Sequence, residues 1–138
     1  IMTNSAENNG NIFGAVDYLN HKKDIINTGV TIKEYEGGIS YHGKSMTIDD
    51  DIAIVGSFNM DMRSAYIDTE LMLVINSKDI NKQLKASMEE YEKKAATVKN
   101  ETEYSHIPEG MKMKELSDKK KNIKAWFGWA MNGLRFLF

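Results

Sequence analysis

Cysteine is absent from the 138-residue chain, proline occurs once and histidine three times. Without cysteine there is no disulfide framework and no thiolate metal site, a composition compatible with a reducing compartment. His21, His42 and His106 are too scattered in sequence to suggest a metal-ligand set. Neither sign of charge prevails: 18 lysines and arginines face 20 aspartates and glutamates, a formal net charge of -2. That balance implies no bulk polyanion partner. No apolar run is long enough to span a bilayer, and no stretch has the order of a secretory signal.

At this length one domain with a real core is expected. Ile1-Met2-Thr3 reads as the end of a strand whose beginning is missing. Asn4 to Gly10 is a turn-rich loop, with Asn4 and Ser5 as candidate caps for the helix that follows. Ile12, Val16, Leu19 and Ile26 recur at roughly helical spacing with Phe13 alongside, which predicts a helix over 11–27 stopped by Gly29. Val30 to Tyr35 alternates like a strand, and Glu36-Gly37-Gly38 turns the chain. Further on, Leu71 to Ile75 reads as a strand. Lys78 to Val98 carries Ile80, Leu84, Met88 and Tyr91 on one side, an amphipathic helix expected to cover the sheet. The order strand, helix, strand, hairpin, strand predicts an α/β fold with a mixed sheet.

The hairpin organises the rest. It lies within Tyr41 to Glu70, YHGKSMTIDDDIAIVGSFNMDMRSAYIDTE. Two β-compatible runs, 41–49 and 52–59, flank acidic turn residues. A two-residue loop at Asp50-Asp51 would pair Asp49 with Ile52, Lys44 with Ser57 and His42 with Asn59. Cross-strand partners share a face, so His42, Lys44, Ser57 and Asn59 would project together, whereas a one-residue slip would separate them. Asp49 has the other parity and is predicted to be structural, at the turn. Such a cluster suits phosphoryl chemistry. An imidazole can attack phosphorus or carry a proton, while an ammonium and an amide hold phosphate oxygens. The imidazole needs an acceptor behind it, and Glu70, which opens the next strand, is the candidate.

The spacing His42-x-Lys44-x4-Asp49, then six residues and Gly56-Ser57-x-Asn59, resembles the signature of the phospholipase D superfamily. Asp61-Met62-Arg63-Ser64 and Asp68-Thr69-Glu70 look like its bacterial cardiolipin synthase branch. The resemblance implies a phospholipase D-like mixed sheet flanked by helices, one half of a pseudo-twofold two-domain enzyme. It implies a two-step phosphatidyl transfer on glycerophospholipids through a phosphohistidine, with no metal or other cofactor. On the matching positions it makes His42, Lys44, Asp49 and Glu70 the catalytic set, with Glu70 behind the imidazole, and Ser57 and Asn59 phosphate contacts. Arg63 either joins them at a headgroup or pairs with Asp61. A Thr-Asn-Ser segment of the branch also makes Asn4 and Ser5 candidates for substrate contact.

In that superfamily two motifs meet, one histidine attacking and the other serving as acid and base. This chain holds one motif. Its partner is expected to be a missing first half of the same protein, which makes His42 the acid and base, or a second copy in a symmetric dimer, as in the family's small nucleases. His21 reads as a solvated helix position and His106 as idle.

Residues 100–118 are polar, hold Pro108 and read as a linker or an irregular packed segment. The expected division is a catalytic half-domain over 1–99, this segment, and a basic amphipathic helix over 119–138. In that helix Ile123, Trp126, Phe127, Ala130, Met131, Leu134, Leu137 and Phe138 fall on one face. Lys124, Gly128, Asn132 and Arg135 fall on the other. The pattern fits docking on an anionic membrane, peripheral and on its cytoplasmic side, and equally fits packing on protein. A phospholipid substrate is favoured. A nuclease or phosphodiesterase would want a basic groove, and a non-catalytic domain would not need the complete motif.

Overall fold

The computed structural model describes residues 1–134. In chain order its elements are β1 (Met2–Asn4), α1 (Ile12–Asn27), β2 (Lys33–Tyr35), β3 (Ser45–Ile48), β4 (Ile52–Gly56), α2 (Met62–Tyr66), β5 (Met72–Asn76), α3 (Lys78–Glu92), β6 (Ala95–Val98), β7 (Tyr104–His106) and α4 (Asp118–Leu134). The expected α/β class is present. The strands form two sheets rather than one, in two compact units: Ile1–Tyr41 with Tyr91–Leu134, and the segment His42–Glu90.

In the first unit the strand order is β1-β2-β6-β7, with β1 parallel to β2 and the other pairs antiparallel. Ala15 and Val16 of α1 are buried, as are Ile32, Tyr35, Ala95 and Ala96. Asn11, not Asn4 or Ser5, caps α1, accepting from the amides of Phe13 and Gly14. Asn4 is bonded to the backbone of Tyr41 in both directions, and Ser5 donates to Glu36. Beyond Thr28, Gly29 takes φ +84° and ends the helix, as its position predicts. A buried ion pair joins Lys22 to Glu34 at 2.8 Å. Tyr18 and Tyr104 also donate to Glu34. Burial, then the Glu34 charge, pushes the Tyr18 hydroxyl well above the usual tyrosine range; burial and the bond to Glu34 do the same to Tyr104.

One expectation for this part of the chain is corrected. The helix predicted to reach Val98 stops at Glu92. Residues Ala95–Val98 instead form β6 between β2 and β7, because pairing on both edges outweighs a periodicity that ends at Tyr91. Of the two readings of residues 100–118, the packed segment is the one present: it contains β7, and the Ser117 amide donates to Glu7 at 3.0 Å. In the basic run before the tail, buried Lys120 donates to the carbonyls of Ala6, Glu7 and Asn9.

Gly128, expected on the solvated side of the tail helix, is buried, and its carbonyl accepts from Asn20 at 2.9 Å. Trp126 and Phe127 are instead 82% and 56% exposed. The side chains of Ala130, Met131, Asn132 and Leu134, together with Arg135, Leu137 and Phe138, lie outside the described residues.

The second unit is an antiparallel meander, β3-β4-β5. Its first hairpin differs from expectation by one residue. Ile48 faces Ile52 and Ser45 faces Val55, so the turn holds Asp49, Asp50 and Asp51. Asp49 absorbs the extra residue with φ 50°, a left-handed conformation that aspartate tolerates better than most residues. α3 stitches this turn down. Lys85 donates to the Asp49 carbonyl and to Asp50, the Ser77 amide to the Asp51 carbonyl, and buried Asn81 to the Ile52 carbonyl at 2.6 Å.

Candidate active site

The register moves the motif residues relative to the parity expectation. Lys44 now stands opposite Gly56, whose amide donates to the Lys44 carbonyl at 3.1 Å. His42 and Asn59 lie outside the regular strands. Cross-strand alternation therefore does not gather the cluster; hydrogen bonds at the ends of β4 and β5 join Ser57, Asn59, Ser64 and Glu70, while His42 and Lys44 bond to each other.

Gly56 makes that junction possible. A Cβ there would collide with the Leu71 carbonyl oxygen and with Met72, so only glycine lets β4 close onto β5 at this point. The next residue then fits. The Ser57 amide donates to the Leu71 carbonyl, and Ser57 Oγ accepts from the Leu71 amide, both at 3.0 Å. The Ser57 hydroxyl hydrogen goes to Glu70 Oε2.

Glu70 Oε1 accepts from Ser64 Oγ at 2.7 Å. Ser64 lies in α2, a short helix capped by Asp61, which accepts from the Ser64 amide at 2.7 Å. The Asn59 amide donates to Ser64 Oγ at 3.3 Å. The two serine bonds, aided by the Lys44 charge, hold the Glu70 carboxyl below the usual carboxylate range against partial desolvation.

His42 and Lys44 meet directly. Lys44 Nζ is 2.8 Å from His42 Nε2 and donates to the His42 carbonyl at 3.0 Å. With an ammonium as donor, Nε2 is the acceptor and the ring proton of neutral His42 lies on Nδ1. Desolvation lowers the Lys44 amine below the ordinary lysine value, and the charges of Glu70 and Asp61 oppose this. The expected bond between Glu70 and the imidazole is not among those of the described residues; Glu70 accepts from the two serines. Its charge acts on the pair through attraction to Lys44.

The remaining candidates separate. Arg63 pairs with Asp68 at 3.0 Å rather than with Asp61, which is used as the helix cap. Asp49 sits at the hairpin turn, held through its carbonyl by Lys85. His21 bonds back to the Asp17 carbonyl in its own helix, and His106 is exposed on β7. Ser64 was noted only as part of the Asp61–Ser64 stretch, and neither its bond to Glu70 nor α2 was anticipated; the Asp61-x-x-Ser64 spacing of an N-cap was the available signal.

Residues 1–91 match the family described as "Cardiolipin synthase, PLD-like domain". The chain belongs to this family. The matched stretch of the PLD-like domain includes every motif residue from His42 to Glu70. Cardiolipin synthase A of Wigglesworthia glossinidia brevipalpis is 35% identical over 68 residues, which is 49% of this chain and 14% of the relative. Cardiolipin synthase A of Yersinia pseudotuberculosis serotype O:1b is 33% identical over 78 residues, 56% of this chain and 16% of the relative. The same figures hold for the protein of that name from Yersinia pestis bv. Antiqua (strain Angola). The matched stretch thus spans only about one-seventh of the length of these curated relatives. No helix among the described residues is long and apolar enough to cross a membrane.

Proposed function

We propose that this domain supplies one half of a phosphatidyltransferase site acting on glycerophospholipids, completed by a second histidine motif. The observation that carries the reading is the junction at which the His42–Lys44 pair and the Ser57–Glu70–Ser64 bridge are coupled through the charges of Lys44 and Glu70. In the reaction, the histidine of the other motif attacks phosphorus. A P–N bond forms as the P–O bond to the leaving alcohol breaks, and protonated His42 gives that alcohol its proton. Neutral His42 then takes the proton of the acceptor alcohol, whose oxygen attacks phosphorus and releases the other histidine.

Lys44 would leave Nε2 for a phosphate oxygen when substrate binds, freeing that nitrogen for the proton. Ser57 and Asn59 line the phosphate approach, Glu70 keeps Lys44 charged, and exposed Arg63 reaches the headgroup from the rim. Asp49 holds the hairpin that carries these groups. Exposed Trp126 and Phe127, with Lys119, Lys121 and Lys124 beside them, give α4 a face for an anionic bilayer, and hence a peripheral site of action at the cytoplasmic surface.

The test uses the full-length protein, phosphatidylglycerol vesicles and, separately, single-stranded DNA. Lipid turnover that falls by about 10³-fold or more in His42→Ala is expected. DNA cleavage without lipid turnover would replace this reading with the dimeric phosphodiesterase. Trp126→Ser with Phe127→Ser should weaken vesicle binding without changing the melting temperature. A point change is the sharper probe, because deleting α4 would also remove Lys120 and Gly128 from their packing.

A further inference from the structure

Ser64 carries no role in the chemistry above, yet it is almost wholly buried, at 5% exposure, beside groups that do. A hydroxyl has one hydrogen to give and lone pairs to receive with. At Ser64 both functions are committed: the hydrogen goes to Glu70 Oε1, and the oxygen receives the Asn59 amide. The backbone amide of Ser64 is in turn held by Asp61. One side chain therefore ties the end of the Gly56–Asn59 loop to the carboxylate that opens β5.

The other oxygen of Glu70 receives the single hydrogen of Ser57. With a hydroxyl donated to each oxygen, the carboxylate is satisfied as an anion. Protonation would leave one serine without its acceptor. Ser57 is exposed and Ser64 is buried, so Ser64 is the fixed side of this clamp.

We propose that Ser64 is a positioning residue, which locks Glu70 as an anion opposite Lys44 and so sets the proton balance of the His42–Lys44 pair. The catalytic consequence rests on the functional reading above; the clamp on Glu70 does not.

Two measurements on the full-length protein test it. In turnover of phosphatidylglycerol vesicles, Ser64→Ala should lower kcat by about 10–100-fold with little change in KM, as loss of an outer-shell bond does elsewhere. The acid limb of its pH–rate profile should move upward, and Ser64→Thr should restore both. The second readout needs no turnover. Glu70 is followed by carbon NMR of the labelled carboxyl group, identified by its loss in Glu70→Gln. In Ser64→Ala it should titrate at higher pH than in the wild type, and in Ser64→Thr as in the wild type. Ser64→Cys, which keeps the volume and weakens the donor, serves if the alanine variant does not fold. An unchanged Glu70 titration in a folded Ser64→Ala or Ser64→Cys protein would overturn the clamp. An altered titration with unchanged kcat and pH profile would overturn its link to turnover. Turnover indifferent to His42→Ala would reject the functional reading, and the Glu70 titration would still decide the clamp.

Discussion

Lys44 Nζ lies 2.8 Å from Nε2 of His42, so the two side chains that open the motif are each other's partners. The amine is below its ordinary value because desolvation outweighs the attraction of Glu70 and Asp61.

It follows that the ammonium is lost at a lower pH than in a free lysine. If the charged form holds the phosphate, activity falls as pH rises through this lowered value. The alkaline limb of the pH–rate profile should lie below the usual lysine range. Lys44→Arg, whose guanidinium stays charged, should remove that limb while lowering kcat, because the bulkier planar guanidinium does not take the place of the compact ammonium at the phosphate oxygen. An alkaline limb identical in Lys44→Arg and wild type would assign it to another group.

Glu70 has the opposite sign. Its folded value is depressed by the bonds from Ser57 and Ser64 and by Lys44, so its ionised form stabilises the fold above the unfolded-state value. That contribution disappears as pH falls through the depressed value. The difference in melting temperature between wild type and Glu70→Gln should be greatest near neutrality and close in acid, below the usual carboxylate range. A gap that stays constant across this range would show that charge is not what Glu70 contributes.

At Asp49 the backbone, not the carboxylate, is the basis for prediction. With φ 50°, Asp49→Ala should lose about 1 kcal/mol of stability, whereas Asp49→Gly should lose none. Urea denaturation measures both. In the full-length protein both variants should retain turnover. Loss of turnover in an Asp49→Gly protein as stable as the wild type would make Asp49 a chemical participant.

The buried pair of Lys22 and Glu34 should be sensitive to removal of one member. Their side chains are 5% and 3% exposed, and Glu34 also accepts from Tyr18 and Tyr104. Lys22→Met leaves a carboxylate without its cation and should destabilise the first unit by about 3–5 kcal/mol. Urea denaturation followed by far-ultraviolet circular dichroism reads this loss. A loss below about 1 kcal/mol would mean that the tyrosine hydroxyls suffice for Glu34.

The motif was legible because chemistry requires particular residue types at particular spacings. His42, Lys44, Gly56, Ser57, Asn59 and Glu70 could be picked out before any geometry was known. Parity then failed at the Asp49 turn, since a third loop residue in a left-handed conformation costs little and moves every cross-strand partner by one. β6 was hidden for a related reason. Ala95 and Ala96 carry no period of their own and became strand only by filling the gap between two neighbours.

By itself, then, the sequence determined the identity of the motif residues, the α/β class and the helical character of the tail. Those properties reside in side-chain chemistry and local periodicity. Tertiary structure decided which of these groups are partners: Lys44 with His42, both serines with Glu70, and Lys120 with three backbone carbonyls rather than with solvent. Such choices depend on which donors and acceptors burial leaves facing one another, and hydrogen-bond satisfaction is settled only when distant segments close together.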